Sequence, residues 1–128
     1  MTLAVLEGVA FALRDCLEAA RKNGVRIGRT MLCGGGAKSP LWRKIIANVM
    51  DLPVDLPQTE QGPSFGAAML AMVGCGEYAT VRAAAEAIVR VRETVFPDPA
   101  IARRYEEHYA VFRSLYPALR GVFAEMRP

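Results

Sequence analysis

Leu3, Leu6, Ala10, Leu13, Leu17 and Ala20 recur three and four positions apart, with Glu7, Arg14, Asp15, Glu18, Arg21 and Lys22 between them. That period predicts an amphipathic helix over residues 3 to 23, with Thr2 as its N-cap and Gly24 as its stop. Residues 29 to 33, Arg-Thr-Met-Leu-Cys, are glycine-bounded and too short for a helix, which predicts a buried strand. It runs straight into Gly34, Gly35 and Gly36. Ser39 and Pro40 then announce a second helix, as N-cap and first helical residue. Leu41, Trp42, Ile45, Ile46, Val49 and Met50 form its apolar face, and it ends near Asp51.

Prolines 53 and 57 bracket a short segment that reads as an edge-like strand over residues 53 to 56, followed by a polar loop over 58 to 62. Residues 64 to 73, rich in Ala and Met, predict a tightly packed helix ending near Gly74 or Gly76. Thr80 caps a further helix reaching about Val89, residues 92 to 96 suit a strand, and Asp98-Pro99 opens a long terminal helix that Pro117 should kink or break. The alternation points to an α/β fold, helix-rich with few strands, in a single domain over residues 1 to 128. Two or three short strands leave sheet edges uncovered, so the chain is expected to be part of something larger or to pair with a copy of itself.

Composition narrows the function. The chain has 128 residues, 52% hydrophobic and 23% charged, with a net charge of +3. Such a balance argues against long disorder. Sixteen Lys and Arg are offset by thirteen acids and form no basic stripe, so nucleic acid is not the expected partner. Cys16, Cys33 and Cys75 lack CxxC spacing and a nearby His and read as buried, reduced thiols; His108 reads as a surface or half-buried residue. No metal site and no Cys-His nucleophile pair is expected. The longest apolar run, residues 66 to 76, is too short to span a bilayer, and the expected compartment is cytoplasmic.

One constellation carries chemistry. A strand, three glycines and a capped helix let backbone amides converge on an anion, with the positive end of the helix dipole at residues 39 to 42 and Lys38 adding charge. A nucleotide fits that description, and the candidate binding residues are Gly34, Gly35, Gly36, Ala37, Lys38 and Ser39. A Walker A loop is excluded, because Ala37 and Leu32 stand where its glycines belong. A dinucleotide fingerprint using Gly34, Gly36 and Ser39, with Asp55 as the ribose-binding acid, remains an alternative. So do a plain strand-to-helix turn without ligand and a helical oligomerisation piece.

The residues also resemble a family. Cys-Gly-Gly-Gly-Ala-Lys-Ser-Pro-Leu-Trp at 33 to 42, Glu-Gln-Gly-Pro-Ser-Phe-Gly-Ala-Ala-Met-Leu-Ala at 60 to 71 and Leu-Glu-Gly-Val-Ala-Phe at 6 to 11 are similar to the C-terminal region of FGGY carbohydrate kinases, closest to the xylulose kinases. The resemblance implies an actin-like ATPase built of ribonuclease-H-like domains, using ATP and Mg²⁺ to phosphorylate a pentulose or related sugar. It implies that residues 34 to 39 lie against ATP or ADP, and that residues 62 to 68 pack a helix beside the nucleotide. Trp42, part of the motif, is expected to pack beneath the loop, because Ile45 and Ile46 define a core face. The family's catalytic aspartate and sugar-binding residues precede the matched region, so the resemblance implies no catalytic residue here and no activity for this chain alone. The missing N-terminal kinase region is the implied partner.

Overall fold

The computed structural model describes residues 1–59 and 62–126, so part of the polar loop at 58 to 62 and the first two residues of the motif at 60 to 71 lie outside the described residues. Five helices and three strands follow in the order α1 (Thr2–Lys22), β1 (Thr30–Met31), α2 (Pro40–Met50), β2 (Val54–Pro57), α3 (Gly62–Gly74), α4 (Val81–Ile88), β3 (Val91–Val95) and α5 (Pro99–Glu125). A 3₁₀ turn over Gly35–Lys38 joins β1 to α2.

The helix stops are local chemistry. Gly24 takes φ +82° while its N–H and that of Val25 donate back to the carbonyls of Arg21 and Ala20, satisfying orphan acceptors at the end of α1. Thr2 is not the cap, however. It is the first helical residue, and Met1 precedes it with no side-chain cap bond. Ser39, Thr80 and Asp98 do cap: Ser39 Oγ accepts from Trp42 N–H, Thr80 Oγ1 from Ala83 N–H, and Asp98 Oδ1 from the N–H groups of Ala100 and Ile101. Helix α5 continues through Pro117 to Glu125 without a break. The carbonyl deprived of its partner there is that of Arg113, in an exposed stretch where water can replace the lost donor.

The core gathers Ala10 and Phe11 of α1, Ile45, Ile46, Ala47 and Val49 of α2, Val54 of β2 and Tyr109 of α5. Phe11 meets Tyr105, Tyr109 and Phe112 at centroid distances of 5.3 to 5.9 Å. Arg14, expected on the polar face of α1, is buried instead. It donates to the Val49 carbonyl at 3.0 Å, pairs with Glu106 and lies 4.3 Å from the Tyr109 ring centre. These neighbours compensate the charge and the Nη donors of the buried guanidinium, while its Nε has no hydrogen-bond partner among the described residues and only Glu18 at 3.8 Å.

Strand β2 is the centre of the sheet, parallel to β1 and antiparallel to β3, and not the edge that its flanking prolines suggest. Val54, Asp55 and Leu56 are buried. Pro57 sits where the register shifts between Leu56 and Pro57, a bulge that spares the ladder the donor proline lacks. Strand β1 is shorter and more open than expected, with Met31 and Cys33 exposed; all three cysteines are free and exposed. Helix α3 runs where the Ala- and Met-rich segment predicts, but it buries none of its residues, and Leu70 is 62% exposed. Among the described residues no helix is long and apolar enough to cross a membrane.

Candidate functional site

The glycine turn leaves β1 at its C-terminal end and enters α2, and its shape follows from three residues. Gly34 holds φ +84°, a backbone state that side chains resist. Its carbonyl accepts from Ala37 N–H at 3.0 Å, and that of Gly36 accepts from Ser39 N–H at 3.1 Å. Gly36 lies against Trp42: a Cβ there would meet the indole Cδ1 and Nε1 at 3.1 Å. Trp42 therefore packs beneath the turn, as the core face defined by Ile45 and Ile46 suggests, and is partly buried against the core cluster.

Gly35 differs from its neighbours. It has no positive φ, and a Cβ on it would find no described atom within 4 Å. The fold accounts for Gly34 and Gly36 and places no demand on Gly35. The surface of the turn is open, with Gly34, Gly35, Gly36, Lys38 and Ser39 exposed and Ala37 half-buried.

The first turn of α2 offers fewer free donors than a bare helix end. Pro40 has no N–H, Trp42 N–H is taken by Ser39 Oγ at 3.3 Å and Arg43 N–H by the Ser39 carbonyl at 3.1 Å, which leaves Leu41 outside the cap. The helix start thus has little free donor capacity beyond Leu41 N–H.

A cleft of about 170 Å³ opens between the end of β1, at Met31 and Cys33, and the start of α3, at Gly62, Phe65 and Gly66. A smaller hollow bounded by Cys33, Gly34, Ala37 and Arg92 shares Cys33 and Pro57 with it, so both motifs face one region. Small-molecule pockets commonly enclose roughly 300–1,000 Å³, so this cleft by itself is smaller than such a pocket. A larger hollow of about 590 Å³ lies along the far half of α5, lined by Phe112, Leu115, Tyr116, Leu119 and Phe123, with Asp15 and Arg113, themselves 3.9 Å apart, as its charged members.

Asp55 does not reach this region as a free acid. Its buried carboxylate accepts from Thr94 Oγ1 at 2.6 Å and pairs with Arg29 Nε at 3.1 Å. The sequence reading missed Arg43, whose Nε donates to the Ala37 carbonyl and whose Nη1 lies 3.2 Å from Glu93 Oε2 on β3. An arginine among helical residues gives no sign of reaching back six positions, and Glu93 is fifty positions away. Among the described residues no group of three His, Cys, Asp or Glu could hold a metal ion.

A helix-rich α/β unit of this kind, with a small three-stranded sheet and a glycine turn before a capped helix, is the C-terminal part of an actin-like ATPase domain. Over 94% of this chain it superposes on the xylulose kinase of Rhodospirillum rubrum with TM-score 0.79 and 35% identity, and on that of Brucella ovis with TM-score 0.82 and 36% identity, covering 25% of each of those chains. The xylulose kinase of Staphylococcus epidermidis is 32% identical over 123 residues, which are 96% of this chain and 25% of that protein. Residues 1–75 match the C-terminal domain of the FGGY family of carbohydrate kinases, and the chain belongs to that family. It spans about a quarter of the length of the curated relatives it matches.

Proposed function

We propose that this chain is the nucleotide-side part of a cytoplasmic, ATP-dependent sugar kinase that phosphorylates D-xylulose or a related ketose. The observation that carries the reading is that the two motifs line neighbouring hollows sharing Cys33 and Pro57, next to an exposed glycine at position 35 that the fold itself does not require. A side-chain-free position facing outward is what close approach of a phosphate or nucleoside to the backbone needs. The relatives named above are xylulose kinases, which favours a pentulose as acceptor.

In this reading residues 34 to 39 hold the diphosphate end of the nucleotide and Gly62 and Gly66 of α3 allow its close approach. The chain contributes positioning to an in-line transfer in which a base outside these residues activates the sugar hydroxyl. Mg²⁺ would enter with the nucleotide phosphates and neutralise their charge. Three of the four aspartates fit this division of labour: Asp15 accepts from Tyr109, Asp55 is paired and Asp98 caps α5, so their carboxylates are engaged in the fold.

The engaged state of Asp55 weighs against a dinucleotide site, whose ribose-binding acid must face the ligand. The test is a coupled assay of ADP release by the intact polypeptide carrying these residues, with D-xylulose as acceptor. Sugar-dependent ADP release is the expected result, and nucleotide turnover that no ketose or polyol stimulates would refute the reading. The 128 residues by themselves should bind ADP only near about 1 mM, because one wall of a site leaves most of the association cost uncompensated.

A further inference from the structure

Residues 34 to 39 are shaped internally by the bonds from Ala37 N–H to Gly34 and from Ser39 N–H to Gly36. Those bonds close the turn on itself. They do not fix how it sits on the sheet, and a segment with three glycines has many alternative shapes. Trp42 supports it through Gly36, but that contact is steric and has little directionality.

Arg43 supplies direction. Its side chain is 15% exposed, and from α2 it reaches back to the Ala37 carbonyl while Glu93 of β3 braces its other edge at 3.2 Å. A planar guanidinium can make both bonds at once in a fixed geometry, which the single ammonium of lysine cannot. The contact links turn, helix and sheet through one side chain.

We propose that Arg43 is a positioning residue for the glycine turn, holding it through the Ala37 carbonyl in the shape that receives nucleotide phosphates. The inference rests on the nucleotide reading of the turn. Calorimetric titration of MgADP into the intact polypeptide, far below its melting transition, reads affinity where the folded fraction is complete and global stability does not enter. Arg43→Met should weaken ADP about tenfold, in keeping with loss of a charge-assisted bond. Arg43→Lys should recover part of the loss, and Glu93→Ala should act in the same direction by less.

Gly35→Ala serves as the control, since it adds a methyl to the turn without touching Arg43 or Trp42. Unchanged affinity in Arg43→Met with weakened affinity in Gly35→Ala would overturn the role of Arg43 and leave the nucleotide reading standing. Unchanged affinity in both, or no ADP binding by the unmodified polypeptide, would remove the nucleotide reading and this inference with it. Should Arg43→Met fail to fold, the exposed brace Glu93 decides: wild-type affinity in Glu93→Ala overturns the proposal.

Discussion

Gly35 and Gly36 are adjacent in sequence and opposite in constraint. A methyl at Gly36 would lie 3.1 Å from the Trp42 indole, so Gly36→Ala should cost about 1–3 kcal/mol through overpacking. The same change at Gly35 meets open space and should alter stability by no more than about 0.5 kcal/mol, read from urea melts of both variants. Tyr105 and Tyr109 provide a second test at this scale. Burial, reinforced by hydrogen bonds to Glu7 and Asp15, pushes both phenols up to about 12 from the ordinary 10. A raised acid pKa means the unfolded chain ionises first. These groups therefore contribute stability that is complete below pH 10 and lost as pH rises from 10 to about 12. Ultraviolet titration should show two phenolates appearing late and coinciding with loss of the folded state, and ionisation of all four tyrosines near pH 10 in folded protein would contradict the assignment.

Elements whose causes are local were readable from sequence, and those whose causes are distant were not. Ser39, Thr80 and Asp98 announce helix starts through bonds spanning two or three residues, and Gly24 and Gly76 announce stops by their positive φ. Removing the Asp98 cap should accordingly be expensive. Asp98→Ala loses two bonds to the first turn of α5 and should lower stability by about 1 kcal/mol in chemical denaturation. The central place of β2 depends on pairing with β3 some forty residues on, and nothing in its two prolines records that partner. The glycine turn was legible as a site because glycines and a cap cluster in a few residues. Arg43 was not, because its bonds to Ala37 and Glu93 exist only once α2 and β3 are assembled. Helix α3 shows the same limit. Its composition suits close packing, yet its documented packing is against α4 and it buries no residue. Its amides should exchange with deuterium faster than those of α2, whose residues Ile45, Ile46, Ala47, Asn48 and Val49 are buried. Equal protection in the two helices would show that α3 has support not seen in the fold.

At the scale of the molecule, the distal half of α5 and the outer side of α3 leave apolar groups in water. Val111, Leu115, Tyr116, Leu119, Val122, Phe123 and Met126 are all more than 40% exposed, and so is Leu70. A run of that kind is more than the scattered apolar residues of an ordinary surface. It accords with a chain spanning about a quarter of its curated relatives. Sedimentation of the 128 residues should show association that grows with concentration, and a monomer at every concentration would contradict this reading of the surface.

The chain contains one tryptophan, and that residue is the one pressed against Gly36. Its emission spectrum is therefore an optical probe with a single source, located under the turn. If occupancy of the turn moves the Gly36 backbone by even a fraction of an ångström, the indole must register it, so binding could be followed in unlabelled protein by colour and intensity alone.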